Sequence, residues 1–466
     1  MKEDFIVHNL FWRNFEEFEN LDPHLSKIKT SEFIYTPPLA YEIPVMIPGI
    51  YILTGGRQVG KSTTLKLIIK NLLKEKLVEK ENIYYLPCDT IKDYNQLLFE
   101  IEQFFQTTTK DKPFVLFIDE ITYVEEWGRA IKSLADSGFF NLGSVLITGS
   151  DSYLLKNAMM EFPGRRGMAD NQDFHLFPLS FKEYVNLKEK QLLKSFENIR
   201  IEFDKGIFIP EGFATFKNLS NLKNIFSDYL LTGGYLSAIN DFEKNKKINS
   251  AVYKTYLQWI IGDILKRGKS EFYLKEIIKA LFLRLSKQIT WNSLSKDVSI
   301  EHHQTIADYI NLLTRMDVTF ILQALREDKM RAAPKKAKKV SFCDPFIFHT
   351  LYGLIENKID FFEASKHLLD STSTLKNSLI EGSVSGLFNR TRESYYIKSD
   401  GEVDIAIITG KTFLPIEIKN SLTLNKNELK QILKYKKGII GYAGSEIGKF
   451  EHLQVVPISL LAILAG

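Results

Sequence analysis

The chain has 466 residues, of which 44% are hydrophobic and 25% charged, with a formal net charge of +4; it is too long for one ordinary core, and its charge balance alone names no partner. Cys88 and Cys343 are its two cysteines, which excludes a disulfide scaffold or a cysteine zinc site and points to a reducing compartment. Met1-Lys2-Glu3-Asp4 lacks the basic and then apolar start of a secretory signal, and no apolar run approaches the roughly 20 residues of a membrane span. A cytoplasmic protein with no membrane partner is the expectation.

Residues 1–48 are rich in aromatics and contain Pro37-Pro38, Pro44 and Pro48, the composition of an irregular N-terminal arm. From Ile50 onward, short apolar runs alternate with longer stretches of helical period. The runs are Ile50 to Leu53, Ile83 to Leu86, Phe114 to Ile118, Ser144 to Thr148 and Phe174 to Phe177. Strands buried on both faces read this way, so residues 49–180 are expected to form an α/β domain with a parallel sheet between helical layers.

The first run leads into Gly55-Gly56-Arg57-Gln58-Val59-Gly60-Lys61-Ser62-Thr63, after which Leu65, Leu67, Ile68, Leu72 and Leu73 repeat at helical spacing. This is the strand, loop and helix of a phosphate-binding P-loop. Its glycines let backbone N–H groups turn inward, and the helix aims the positive end of its dipole at the anion. Gly55, Gly56, Arg57, Gln58, Val59, Gly60, Lys61, Ser62 and Thr63 are therefore the candidate ATP-binding residues. Lys61 is expected to reach the β- and γ-phosphates, and the Ser62 hydroxyl to complete the shell of a Mg²⁺ ion. The third run ends in Asp119-Glu120, at the carboxyl end of a strand, where ligands of such sheets bind. Asp119 is the candidate Mg²⁺ ligand and Glu120 the residue that polarises the attacking water. Thr148 and Ser150, closing the fourth run, are candidate sensors of the γ-phosphate. Arg165 and Arg166, in Pro163-Gly164-Arg165-Arg166-Gly167, are candidates for an arginine supplied to that phosphate, often by a neighbouring subunit, which makes a homo-oligomer an expectation.

The stretches GGRQVGKST, LFIDE continuing into ITYVEEWGRAIKSL, LITGSDSYLL, PGRRG, FPLSFKEY and LTGGYLSAI resemble blocks of a prokaryotic family of AAA-type ATPases. The resemblance runs from about Ile50 onward. It implies an ATPase whose C-terminal domain is similar to the PD-(D/E)XK nucleases. Asp151 departs from the pattern, standing after Thr148-Gly149-Ser150 where a small neutral residue is expected.

Residues 181–270 read as a helical linker region, with a Lys- and Glu-rich solvated face from Tyr184 to Ile199 and a turn between two helices at Gly233-Gly234-Tyr235. In 271–345, Thr290 to Val298 precedes a helix with apolar Ile306, Ile310 and Leu313, and Val318 to Leu322 and Val340 to Phe342 read as paired strands. Together these make a winged-helix-like module, and the resembling family carries something similar there. The second helix opens with Glu301, His302, His303 and Gln304 and has no arginine cluster. The wing is basic, with Arg331, Lys335, Lys336, Lys338 and Lys339, a strip suited to nucleic-acid phosphates and without sequence information.

Within 346–466, Glu402 to Ile408 and Pro415 to Lys419 read as a hairpin joined at Thr409 to Thr412 through Gly410. Glu417 and Lys419 share one strand face, and Asp404 on the same face would bring two carboxylates and an ammonium together. Such a group holds Mg²⁺ and leaves the lysine to position or deprotonate a water for attack on a phosphodiester. Asp404-x12-Glu417-x-Lys419 resembles the PD-(D/E)XK signature, with Val403 where the name has proline. By the same resemblance Glu381 completes the metal set, and Gln431 and Tyr435 match the Gln-x-x-x-Tyr pair of the nuclease branch that works beside helicases. Asn425 and Glu428 read as a capping box that starts a helix ending at Gly438. Six lysines from Lys419 to Lys437 against one acid make the surface basic.

The expected fold class is thus α/β: a P-loop parallel-sheet ATPase domain, a helical and winged-helix middle, and an α/β restriction-nuclease-like C-terminal domain. The leading expectation is an ATP-hydrolysing, Mg²⁺-dependent protein that binds and cleaves nucleic acid. The alternative is a nucleotide-gated switch whose inactive nuclease-like domain docks a protein partner. A DNA-binding regulator acting through the winged helix is a third and weaker reading.

Overall fold

The five apolar runs become five parallel strands, β1 (Gly49–Thr54), β2 (Ile83–Pro87), β3 (Phe114–Asp119), β4 (Gly143–Thr148) and β5 (Asp173–His175), in the spatial order β2-β3-β4-β1-β5. The structure is a computed structural model that describes residues 6–106, 108, 112–149, 155, 164–203, 206–210 and 216–466. Its contacts divide the chain into two compact units, Met1–Phe177 and Pro178–Gly466. Among the described residues, no helix is long and apolar enough to cross a membrane.

In the first unit the pleat sends neighbouring residues to opposite cores. Ile50 and Ile52 of β1 pack with Leu97, Ile101, Phe104 and Ile131, whereas Tyr51 and Leu53 pack with Leu65, Ile68, Ile69 and Leu72. Because both faces are covered by helices, β1 has no polar side and no alternation, which is why it reads as an unbroken apolar run. The fifth strand is shorter than expected. It ends at His175, just before the Leu176 N–H bonds Thr54 O at 2.9 Å.

The N-terminal segment corrects the expectation of an irregular arm. It folds into helices Phe15–Leu21, Pro23–Lys29 and Leu39–Glu42. Asn14 caps the first helix, and Asp22 caps the second with Pro23 at the opening position, where a missing N–H costs nothing. Phe11, Phe18 and Leu25 enter the same core as the P-loop helix Lys61–Lys74.

In the second unit, helices Phe216–Thr232 and Leu236–Asn245 flank the expected turn at residues 233–235. Two short ladders, β6 (Arg200–Glu202) with β7 (Gly206–Phe208) and β9 (Leu325–Arg326) with β10 (Arg331–Ala332), accompany the antiparallel pair β8 (Thr319–Gln323) and β11 (Lys338–Phe342). The pair follows the helix His303–Arg315, as read from the sequence. A six-stranded sheet completes the unit. Its strands are β12 (Ser394–Lys398), β13 (Glu402–Thr409), β14 (Thr412–Lys419), β15 (Ile439–Tyr442), β16 (Gly448–Phe450) and β17 (Leu453–Pro457), in the order β12-β13-β14-β15-β17-β16. The β13–β14 hairpin pairs Thr409 with Thr412 across Gly410. The helix Ile458–Ala465 is buried, so the apolar end of the chain is a strand and helix inside the fold.

No α-helix spans 425–438. Turns and a single 3-10 turn at Ile432–Lys434 occupy that stretch. The Asn425 side chain accepts from the Asn427 N–H at 2.9 Å, closing a local turn in place of the capping box. Gln431 and Tyr435 still meet, Nε2 to the hydroxyl at 3.3 Å.

His349, on helix Pro345–Ile355, is fully buried and donates from Nε2 to Leu230 O at 2.9 Å. Burial pushes its pKa down from 6.5 to about 4. The unfolded chain therefore takes up a proton that the folded unit refuses, and stability falls as pH drops from 6.5 toward 4. This contribution reaches about 3 kcal/mol. Urea unfolding at several pH values is expected to show that part of the dependence disappear in His349→Asn.

Candidate functional site

Between β1 and the helix Lys61–Lys74 the backbone takes conformations that select glycine. A side chain at Gly55 would place Cβ 2.4 Å from Leu176 O, and Gly60, at the helix N-cap, has φ of +107°. The Lys61 ammonium arches back over the loop and donates to Gly55 O at 2.9 Å and Gly56 O at 3.0 Å. Ser62 and Thr63 lie partly exposed in the first turn of the helix.

The sheet register brings the candidate acids toward this loop. Leu53 of β1 lies beside Thr148 of β4, and Ile147 lies beside Ile118 of β3. Thr148 thus stands on the strand between the P-loop and Asp119. Its hydroxyl donates to Asp119 Oδ1 and accepts from the Glu120 N–H at 3.2 Å. Tyr85 donates to Asp119 Oδ2 at 2.6 Å, and burial beside Asp119 holds the tyrosine pKa well above its ordinary value, so the phenol keeps its proton. Glu120 sits at φ of +54°, a left-handed conformation that costs a non-glycine residue roughly 1–3 kcal/mol and collects at functional sites. Ser62 and Asp119 offer hard oxygen donors, and Asp119 is held in one orientation by two hydroxyls, so these residues fit a Mg²⁺ ion. Ser150 and Asp151 lie outside the described residues.

Residues that the sequence did not single out support this constellation. Lys66 is buried, pairs with Asp22 at 3.1 Å, donates to His8 O at 2.6 Å, and sits 3.6 Å from the centre of the Tyr85 ring. His24 Nδ1 lies 3.3 Å from the Thr63 hydroxyl, and burial lowers its pKa. Asp22-Pro23 is legible as a helix start; that its neighbours reach the P-loop helix and the tyrosine behind Asp119 is not.

The candidate arginines are held within the chain. Arg165 pairs with Asp136, and Arg166 makes two bonds to Asp173, at 2.8 and 2.9 Å, and one to Gln172 O at 3.0 Å. Either would have to leave a carboxylate to reach a phosphate. Pro163 lies outside the described residues.

In the second unit Asp404, Glu417 and Lys419 do converge. One step beyond the paired Ile405 and Ile416, the Asp404 N–H donates to Glu417 Oε2 at 3.3 Å and the Ile418 N–H to Asp404 Oδ2 at 2.9 Å. Lys419 pairs with Glu417 Oε1 at 2.8 Å. Glu381 joins them from the helix Thr374–Thr391, and so does a residue expected on the exposed wing. Lys339 is 3% exposed, and its ammonium bonds Glu381 at 2.8 Å, Asp404 Oδ1 at 3.2 Å, and Glu402. The expectation of a fully exposed wing is corrected by strand alternation: Lys338 and its neighbour Lys339 on β11 point to opposite sides. Lys335 and Lys336 are exposed, as expected. Burial next to Asp404 pushes the Glu417 pKa up to about 8 and that of Glu381 up to about 7.

These residues do not fit a divalent ion as they stand. The Lys339 ammonium already stands against Glu381 and Asp404, and the Lys419 ammonium against Glu417, so each acid of the expected metal set faces a cation. Among the described residues, no group of three or more acidic, histidine or cysteine side chains could hold a metal.

Residues 48–185 match the family model described as an AAA domain, and residues 223–358 match a domain of unknown function. The chain is 25% identical over 268 residues to uncharacterized protein MJ1544 of Methanocaldococcus jannaschii, covering 56% of this chain and 50% of that protein. It is 23% identical over 316 residues to uncharacterized protein MJ1637 of the same organism, covering 63% and 60%. The chain thus spans between half and three-fifths of these curated relatives. Among solved structures it is similar to the Walker-type ATPase PABY2304 of Pyrococcus abyssi, with TM-score 0.40 and 15% identity over 66% of this chain and 91% of the other. It is also similar to the Aeropyrum pernix ORC2 protein, with TM-score 0.36 and 13% identity over 69% and 96%. With the P-loop, the acids at the end of β3 and the matched model in register on one segment, residues 48–185 carry an AAA-type P-loop domain.

Proposed function

We propose that this protein hydrolyses ATP at the loop of residues 55–63. The amides there would surround the phosphates, with Lys61 facing the β- and γ-oxygens. Ser62 and Asp119 would hold Mg²⁺, which when bound neutralises charge between the phosphates. Glu120 would orient the attacking water. Thr148, bonded to Asp119 and to the Glu120 backbone, would transmit the loss of the γ-phosphate to both acids. That threonine bridge, one strand from the P-loop, is the observation that carries the reading.

The second unit would take a nucleic-acid backbone as partner through the exposed Lys335, Lys336, Lys430 and Lys436, without reading sequence. The alternative, a nucleotide-gated switch whose nuclease-like unit docks a protein, is favoured by Lys339 among the carboxylates. Phosphate release measured with and without duplex and single-stranded DNA separates the two, because only the first reading expects stimulation. In either case Glu120→Gln is expected to bind ATP within a few-fold of the parent and to turn it over at least tenfold more slowly. Parental turnover by Glu120→Gln would remove the proposed role of this acid.

A further inference from the structure

The side chain that closes the acidic cluster of the second unit comes from a strand outside the hairpin that carries the acids. We propose that Lys339 is a resident cation: its ammonium stands where a nuclease of this pattern would hold a divalent ion, so the unit keeps its carboxylates together without metal and does not cleave nucleic acid. The inference deepens the second reading above and is independent of ATP turnover.

Three observations carry it. The Lys339 ammonium contacts carboxylates from two elements, Glu381 on the helix Thr374–Thr391 and both Glu402 and Asp404 on β13. Glu381 and Asp404 belong to the expected metal set, and its third acid, Glu417 on β14, pairs with Lys419 instead. The contact is buried and braced. The lysine is 3% exposed, Gln288 donates to the other oxygen of Glu402, and the Tyr396 ring centre lies 5.8 Å from the ammonium. Finally, Lys419, the lysine that would act on a water, is itself tied to Glu417 at 2.8 Å, and the remaining oxygens of Asp404 and Glu417 accept backbone N–H groups.

Physical chemistry favours an ammonium here over mere coincidence. Carboxylates buried together repel, and a cation among them lowers that cost. A divalent ion meets that need only while bound, whereas a lysine on a neighbouring strand meets it permanently. The surface wing of a DNA binder needs no buried lysine, and a solvated lysine would have no reason to leave water.

The test uses the full chain free of nucleotide and Mn²⁺ as the probe. Wild-type protein is expected to take up no Mn²⁺ by electron paramagnetic resonance titration at this cluster, to show a Tm difference between Mn²⁺ and EDTA no larger than that of Asp404→Asn, and to release no fragments from labelled DNA or RNA. In Lys339→Ala the acids lose their cation; Tm should fall, and Mn²⁺ should raise it again while a saturable Mn²⁺ site appears that Asp404→Asn abolishes. Should Lys339→Ala fail to fold, Lys339→Ala/Glu402→Gln, with one less negative charge to balance, carries the same Mn²⁺ titration. The proposal is overturned if wild-type protein binds Mn²⁺ at a site that Asp404→Asn or Glu417→Gln removes. It is equally overturned if a folded Lys339 variant gains no Mn²⁺. Because no nucleotide is present, these outcomes leave the ATPase reading untouched.

Discussion

Lys61→Ala is expected to abolish measurable ATP turnover and to weaken ATP binding by about 30- to 5,000-fold. The estimate follows from removing one partner of a buried, charge-assisted contact to phosphate, which costs about 2–5 kcal/mol. Two losses act together. The ammonium that would meet the β- and γ-phosphates is gone, and so are its bonds to Gly55 O and Gly56 O, which brace the loop. Binding read by a fluorescent ATP analogue and turnover read by phosphate release separate the two. Lys61→Arg, which keeps the charge but not the compact geometry, should recover part of the binding and little turnover. Binding of ATP by Lys61→Ala at the parental level would place the nucleotide elsewhere.

Asp22→Ala is expected to destabilise the first unit by about 3–5 kcal/mol, because it leaves the buried Lys66 ammonium without its carboxylate. Both side chains are 2% exposed and 3.1 Å apart. Burial already lowers the Lys66 pKa, and Asp22 is the largest influence opposing it. A fall of about 6–20 °C in Tm is the corresponding signal for a unit of this size. The double variant Asp22→Asn/Lys66→Met, which removes both charges and keeps the helix cap, should recover most of the loss. If Asp22→Ala melts within a degree or two of the parent, Lys66 has another compensating partner. The substitution also probes function, since Lys66 lies against the Tyr85 ring and Tyr85 orients Asp119. ATP turnover in Asp22→Ala should therefore fall at temperatures where the protein is still folded.

Much of the first unit was legible from residues 49–180. Five apolar runs became five strands of one parallel sheet, because a strand covered by helices on both faces has no polar side to hide its signal. The loop Gly55 to Thr63 was legible for a related reason: turning amides toward an anion requires glycine at backbone angles that other residues resist. The N-terminal segment was misread. Pro37-Pro38, Pro44 and Pro48 suggested irregularity, but the capping aspartate Asp22 with Pro23 opens a helix earlier in the segment, and the partners of that helix lie far along the chain. Likewise, Asn425 to Gly438 matched a capping box locally, yet a turn closed by Asn425 took its place.

The carboxylates of the second unit show the boundary most clearly. Alternation along one strand was enough to place Glu417 and Lys419 on one face, and the hairpin around Gly410 was enough to bring Asp404 to them. Nothing local distinguishes Lys339 from Lys335, Lys336 and Lys338, since a run of lysines reads as a solvated strip whichever of them turns inward. The sequence by itself determined the strands of the parallel sheet, the β13–β14 hairpin and the glycine-rich loop after β1, for these depend on short-range sterics and on apolar periodicity. Only the tertiary structure decided which cation faces the acids, because electrostatic pairing is set by distance in space and β11 reaches that cluster from more than sixty residues away.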